Sequence, residues 1–192
     1  MSSPIPASYQ VLFGSGIGFV VMFAPLGIIF FMGSKIKTMK PSTAQTLFWV
    51  FSILMGASLS YVFLTYTATS IVRVFFITAA TFGAMSLYGY TTKRSLARWG
   101  SFLFMGLIGV IIAMVVNIFM QSSVLHFVIS VVGVLVFTGL TAYDTQRIKK
   151  SYVESDDRDV MTKKAIMGAI SLYLNFLNIF MLLLMLFGGG RD

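Results

Sequence analysis

The chain has 192 residues, of which 57% are hydrophobic and only 10% charged, and its formal net charge is +8. Soluble domains carry about 25% charged residues, so this composition excludes a water-soluble globular protein. The absence of cysteine excludes disulfides and thiolate metal sites. The basic residues lie mainly in loops between apolar runs, which favours a lipid bilayer with an anionic surface, rather than nucleic acid, as the partner.

Six apolar runs are long enough to cross a bilayer, since about 20 helical residues span about 30 Å of hydrocarbon. They lie at about 11–33, 46–66, 72–91, 100–120, 125–145 and 165–187. None has the alternating pattern of a barrel strand, and all are longer than the roughly 10 residues that such a strand needs. The sequence therefore predicts an all-α integral membrane protein with six transmembrane helices in one multi-pass domain, residues 1–192.

The distribution of Lys and Arg predicts the orientation of these helices. Basic residues concentrate in the loops after the first, third and fifth runs, whereas the opposite side has only Arg73 and Arg191. By the positive-inside rule, the basic loops are cytoplasmic and both ends of the chain are external. The N-terminus has no charge to orient it, so either a short neutral segment is translocated or a preceding span is missing.

The last run carries a polar face. Ser171, Asn175 and Asn178 have the i, i+4, i+7 spacing that places side chains on one side of a helix. Counted from Lys164 at 1.5 Å per residue, Asn175 lies about 16 Å deep, near the bilayer midplane. An amide at that depth needs partners, so this helix is expected to face the bundle interior. Hydrogen bonding between helices and a functional polar path both account for the pattern.

Asp144, at the inner end of the fifth run, is the only acid that adjoins an apolar run. A carboxylate in that position is expensive to maintain and is therefore a candidate functional group. The structural alternative is that Asp144 caps the helix or pairs with Arg147, one turn away. With His126 as the single histidine and no nucleotide-binding loop, the sequence predicts no metal site, no cofactor and no enzymatic activity.

Three stretches resemble signatures of the bacterial Bax inhibitor-1 family. They are FITAATFGAMSLYGYTTKR at 76–94, GLTAYDTQRIK at 139–149 and AISLYLNFLNIF at 169–180. The resemblance implies an inner-membrane protein with seven spans, in which six helices surround a central, polar-faced C-terminal helix and the C-terminus is external. On that pattern the chain lacks the family's first helix, through truncation or a mis-assigned start.

The family resemblance also implies a function. Members are associated with pH-sensitive calcium leak, related bacterial proteins modulate a membrane-anchored ATP-dependent protease, and eukaryotic relatives suppress cell death. The leak is implied to depend on two aspartates, of which one matches Asp144 and the other falls on Asn175. Two facing carboxylates share a proton and titrate together. Since an amide removes that repulsion and donates to the ionised form, Asp144 is expected to stay largely charged, with blunted pH switching.

Three interpretations follow for the chain as a whole. The leading one is a pH-influenced calcium or cation leak, with Asp144 and Asn175 as the ion pathway and pH gate, supported by Ser171, Asn178 and Arg147. The second is a non-conducting regulator of a membrane-anchored protease or another membrane protein, and the third gives Asp144 a purely structural role. By depth, Asp144 is expected at the cytoplasmic edge of its span, so straight helices would leave it one to two turns from Asn175.

Overall fold

The computed structural model describes the backbone of residues 16–190 and the side chains of residues 24–190. Within that part of the chain, all the regular secondary structure elements of four residues or more are helices. We label them α1 (Gly16–Lys35), α2 (Pro41–Leu59), α3 (Val62–Thr65), α4 (Ala68–Thr91), α5 (Ala97–Met120), α6 (Ser123–Ser151) and α7 (Arg158–Phe187). The predicted all-α class is confirmed.

Five helical segments of the described chain are long and apolar enough to cross a membrane. The first combines α2 and α3 as Pro41–Thr65, and the others are α4, α5, α6 and α7. A shorter apolar helical segment, Ala24–Lys35, belongs to α1. The predicted first run at 11–33 begins outside the described residues and ends within α1. The membrane-spanning character inferred from composition is therefore confirmed for these helices.

Local capping explains where several helices begin. The Oγ1 of Thr67 accepts a hydrogen bond from the Ser70 amide at the start of α4, and the Oγ of Ser122 accepts one from the Leu125 amide at the start of α6, both at 3.3 Å. Pro41 opens α2, where its missing N–H costs nothing. The polar residues between the apolar runs therefore act as helix starts.

The chain divides into two compact units. The first contains α1, α2, α3 and the start of α7, and the second contains α4, α5, α6 and the rest of α7. In the first unit α1 packs against α2, and the Lys163 ammonium donates to the carbonyls of Lys37 and Met39 at 3.2 and 3.3 Å. The single membrane domain expected from the sequence stays a prediction.

In the second unit α6 packs against both α4 and α5, and small residues permit the close approach. A Cβ on Gly89 of α4 would collide with the backbone of Ala142 of α6. A Cβ on Gly100 of α5 would collide with the Tyr143 ring. Glycines that admit a neighbouring backbone are typical of packed membrane helices. These contacts fix α6 as the helix against which α4 and α5 are placed.

Candidate functional site: a buried carboxylate between α6 and α7

Asp144 lies inside α6, about two turns before the helix ends at Ser151. Only 5% of the residue is exposed. Asp144 is therefore buried inside the protein, and its place at the cytoplasmic edge of the span stays a prediction. Helix α6 continues as a regular helix through the basic residues after Asp144, so those residues do not mark the end of the packed segment.

The two oxygens of the Asp144 carboxylate have different partners. Oδ2 accepts hydrogen bonds from the Ser171 hydroxyl at 2.7 Å and from Nδ2 of Asn175 at 2.9 Å, both on α7. Oδ1 lies 3.0 Å from Nη2 of Arg147, on the next turn of α6. That last contact is an ion pair without hydrogen-bond alignment, since Oδ1 has no hydrogen-bond partner among the described residues. An ion pair and two neutral donors thus hold the carboxylate.

Asp144 and Asn175 are in direct contact, as the family resemblance implied, and the gap of one to two turns estimated for straight helices is absent. The depth of about 16 Å for Asn175 assumes that the helix begins near Lys164, but α7 already begins at Arg158, so Lys164 lies within its second turn. Asn175 is 5% exposed, in keeping with its expected interior position. Both helices extend past their basic residues, and this extension brings Asp144 level with Asn175.

Of the other predicted site residues, two contact the Asp144 carboxylate and one does not. Ser171 and Arg147 contact the carboxylate directly, and 51% of the Arg147 side chain is exposed. The Arg147 guanidinium also lies 5.8 Å from the centroid of the Tyr143 ring. Asn178, by contrast, donates from Nδ2 to the carbonyl of Leu174 at 2.8 Å, within its own helix. The structure therefore brings Asp144, Arg147, Ser171 and Asn175 together but not Asn178.

Sequence reasoning missed Gln146, which is 5% exposed. Its Oε1 accepts from the Leu96 amide at 2.8 Å, and its Nε2 donates to the Arg94 carbonyl at 2.9 Å. One amide side chain thus satisfies two backbone groups of the loop between α4 and α5. The sequence does not predict that Gln146 is buried, because it lies in a run of polar residues, which is typical of a helix end that faces solvent.

Two further hydroxyl oxygens are buried without a hydrogen-bond partner in the described part of the chain. They are Oγ of Ser86 on α4 and Oγ1 of Thr138 on α6. Unpaired buried oxygens are uncommon because each loses its hydration without compensation. No group of three or more His, Cys, Asp or Glu side chains suited to a metal ion occurs among the described residues. The site therefore consists of one buried carboxylate held by Arg147, Ser171 and Asn175.

The helices and the buried acid define a multi-pass helical membrane protein with a polar interior, and comparisons with known proteins place it more closely. A family model described as "Inhibitor of apoptosis-promoting Bax1" matches residues 2–192. The chain is 52% identical over 184 residues to an uncharacterized protein of Rickettsia prowazekii (strain Madrid E), which covers 96% of this chain and 78% of that protein. It is 42% identical over 188 residues to the inner membrane protein YbhL of Escherichia coli (strain K12), which covers 96% of this chain and 80% of YbhL.

The chain therefore belongs to the Bax inhibitor-1 family, as the three sequence signatures predicted. A match at this level over nearly the whole chain, together with the long apolar helices, makes it a multi-pass protein of the inner membrane.

Proposed function

We propose that this protein forms a pH-influenced leak pathway for calcium or other cations, with Asp144 as its gate. The observation that carries the proposal is the 5% exposed carboxylate, held by Arg147, Ser171 and Asn175. Removing one partner from a buried charge is strongly unfavourable. A cation that replaces Arg147 at Oδ1 would restore the balance, so the carboxylate is a group that a permeating cation can occupy.

Arg147 is the group that keeps the gate shut. Its side chain is half exposed and its contact with Oδ1 lacks hydrogen-bond alignment. The guanidinium can move into solvent, but the buried carboxylate cannot, so release of Arg147 requires a cation to take its place at Oδ1. The two donors from α7 hold Oδ2 in place while Oδ1 changes partner.

The weak pH response that we propose follows from Asn175. Its Nδ2 donates to the Asp144 carboxylate, at the position where the family resemblance implies a second aspartate. A second acid at this position would instead repel the charge and share its proton. With one carboxylate in place of two, we propose that pH modulates the leak without a steep switch. The proposed orientation puts the basic loops in the cytoplasm and the C-terminus outside, by the positive-inside rule.

The test is calcium entry into liposomes that contain only the purified protein and an internal calcium indicator. Asp144→Asn keeps the shape of the side chain but removes its charge, and we expect it to lower the flux roughly tenfold or more. Asn175→Asp introduces the second carboxylate and should steepen the dependence of flux on pH between about pH 6 and about pH 8.

Two outcomes would overturn this proposal. One is a strong flux change across that pH range that survives Asp144→Asn. The other is no flux from the pure protein at any pH. The second outcome would leave the non-conducting regulator, which co-purification with a membrane-anchored ATP-dependent protease would test.

A further inference from the structure

A cleft of about 780 Å³ lies among α4, α5 and α6, and neither Asp144 nor its partners Arg147, Ser171 and Asn175 line it. Its apolar part includes Met85 of α4, Leu103 of α5 and Leu135 of α6. At one end it is lined by Arg94 and Arg98, from the loop between α4 and α5 and the first turn of α5. The cleft is therefore amphiphilic. Its apolar part at Met85, Leu103 and Leu135 is called the floor, and the end at Arg94 and Arg98 is called the mouth.

We propose that this cleft binds one anionic phospholipid of the surrounding leaflet. The headgroup phosphate binds between Arg94 and Arg98, and the upper part of an acyl chain lies over Met85, Leu103 and Leu135. Basic pockets between membrane helices are the sites at which anionic headgroups are recognised. The planar guanidinium also matches phosphate oxygens through paired hydrogen bonds.

Among the described residues that line the cleft, the charges of Arg94 and Arg98 have no acidic counterpart. The one acidic residue of α6 is Asp144, and its carboxylate is already paired with Arg147. Both Arg94 and Arg98 are exposed, so their charges are available to a ligand. An anion is thus the complementary partner for this end of the cleft.

The mouth is also held in a fixed shape. The buried amide of Gln146 bonds the carbonyl of Arg94 and the amide of Leu96, which ties the loop to α6. A further bond joins the Lys149 ammonium to the Tyr90 carbonyl at 2.7 Å, at the end of α4. Because the backbone is ordered before any ligand arrives, binding does not have to pay for organising the loop.

Aromatic side chains place the mouth at the membrane interface. Trp99 and Tyr88 line the cleft and are 60% and 48% exposed. Trp and Tyr concentrate where headgroups meet hydrocarbon. Along α4, Met85 lies six residues before Thr91, about 9 Å towards the interior at 1.5 Å per residue. The apolar floor therefore begins at the depth where an acyl chain leaves its glycerol group.

Trp99 makes the proposal testable, because the chain has only two tryptophans. In Trp49→Phe, Trp99 is the single reporter in the cleft, whereas in Trp99→Phe the exposed Trp49 of α2 reports on bulk lipid. Each variant is reconstituted into phosphatidylcholine vesicles with a minor fraction of dibrominated phosphatidylglycerol, or of dibrominated phosphatidylcholine, and quenching of fluorescence is measured. We expect phosphatidylglycerol to quench Trp99 several-fold more efficiently than phosphatidylcholine does, and Trp49 to show no such preference.

The decisive variant adds Arg94→Gln and Arg98→Gln to Trp49→Phe, and its matched control adds Lys37→Gln and Lys40→Gln, which remove the same charge elsewhere. Loss of both arginines should remove most of the several-fold preference for phosphatidylglycerol, because each basic group adds to headgroup attraction. The lysine variant should keep the preference, and inorganic phosphate should not reduce it.

Equal quenching of Trp99 by the two lipids would overturn the proposal. So would an equal loss of preference in the lysine variant, which would indicate diffuse surface charge. Displacement by inorganic phosphate would assign the arginines to a free anion instead. If the arginine variant loses helical content by circular dichroism, Arg94→Lys with Arg98→Lys replaces it and should show an intermediate preference, because charge is kept while paired bonding is lost.

Discussion

Helices α5 and α6 follow one another in the chain and both are apolar enough to span a membrane, yet they have opposite surroundings. In the most apolar stretch of each helix, 6% of α5 is buried inside the protein, compared with 39% of α6. The buried residues of α6 include Ser130, Thr141, Asp144 and Gln146, whereas α5 exposes large side chains such as Phe119. In a membrane, apolar character identifies a span, but polar and small residues identify the face that packs against protein.

The largest expected effect on stability comes from separating α4 from α6 at Gly89, where the backbones of the two helices are in close contact. Gly89→Val places a side chain against the backbone of Ala142, which cannot yield as a flexible side chain would. We expect a loss of about 3 kcal/mol or more in the free energy of unfolding, or no folded protein. Gly109→Val on α5 is the control, because a Cβ there meets nothing within 4 Å. Thermal unfolding in detergent measures both, and an equal loss in the two variants would contradict the contrast between the helices.

A smaller effect on the free energy of unfolding is expected on α7, where Asn175 bonds to the buried Asp144 carboxylate and Asn178 bonds only within its own helix. Asn175→Leu removes a hydrogen bond to the buried Asp144 carboxylate, so we expect a loss of about 2 kcal/mol. Asn178→Leu removes only a bond to the Leu174 carbonyl of the same helix, and we expect less than about 1 kcal/mol. The midpoint of thermal unfolding ranks the two. If Asn178→Leu proves as costly as Asn175→Leu, the Asp144 cluster is not the polar core of this unit.

The smallest expected effect lies in the turn that joins the two compared helices. Gln121 has φ of 48°, the left-handed conformation that is costly for a residue with a Cβ. Gln121→Gly should raise the free energy of unfolding by about 0.5 kcal/mol, because relief of strain exceeds the added freedom of the unfolded chain. The neighbouring Ser122→Gly is the control, and it should destabilise because the cap on α6 is lost. A destabilised Gln121→Gly would show that the side chain has a role that outweighs its conformation.

The sequence was sufficient for the helical class and for the polar positions of the last helix, because both depend on composition and periodicity. A depth count from the basic residues does not predict the contact between Asp144 and Asn175, which only the family resemblance implied, since both helices include those basic residues. Gln146 could not be recognised either, because its partners are backbone groups of a loop some fifty residues away. Contacts of that kind depend on which helices become neighbours, and local pattern does not contain this information.

The turn between α5 and α6 has a consequence for how the protein enters its membrane. Only Gln121 and Ser122 separate the two helices, and Asn117 Oδ1 accepts from the Ser122 amide at 3.0 Å to close the turn. From residue 99 to residue 143 the sequence contains no Lys, Arg, Asp or Glu. A helical hairpin of this kind has no charged residue in its turn, so its insertion does not require the transfer of a charge through the hydrocarbon core. Its two arms can therefore partition from the translocon into lipid as one folded pair, with its backbone hydrogen bonds already made.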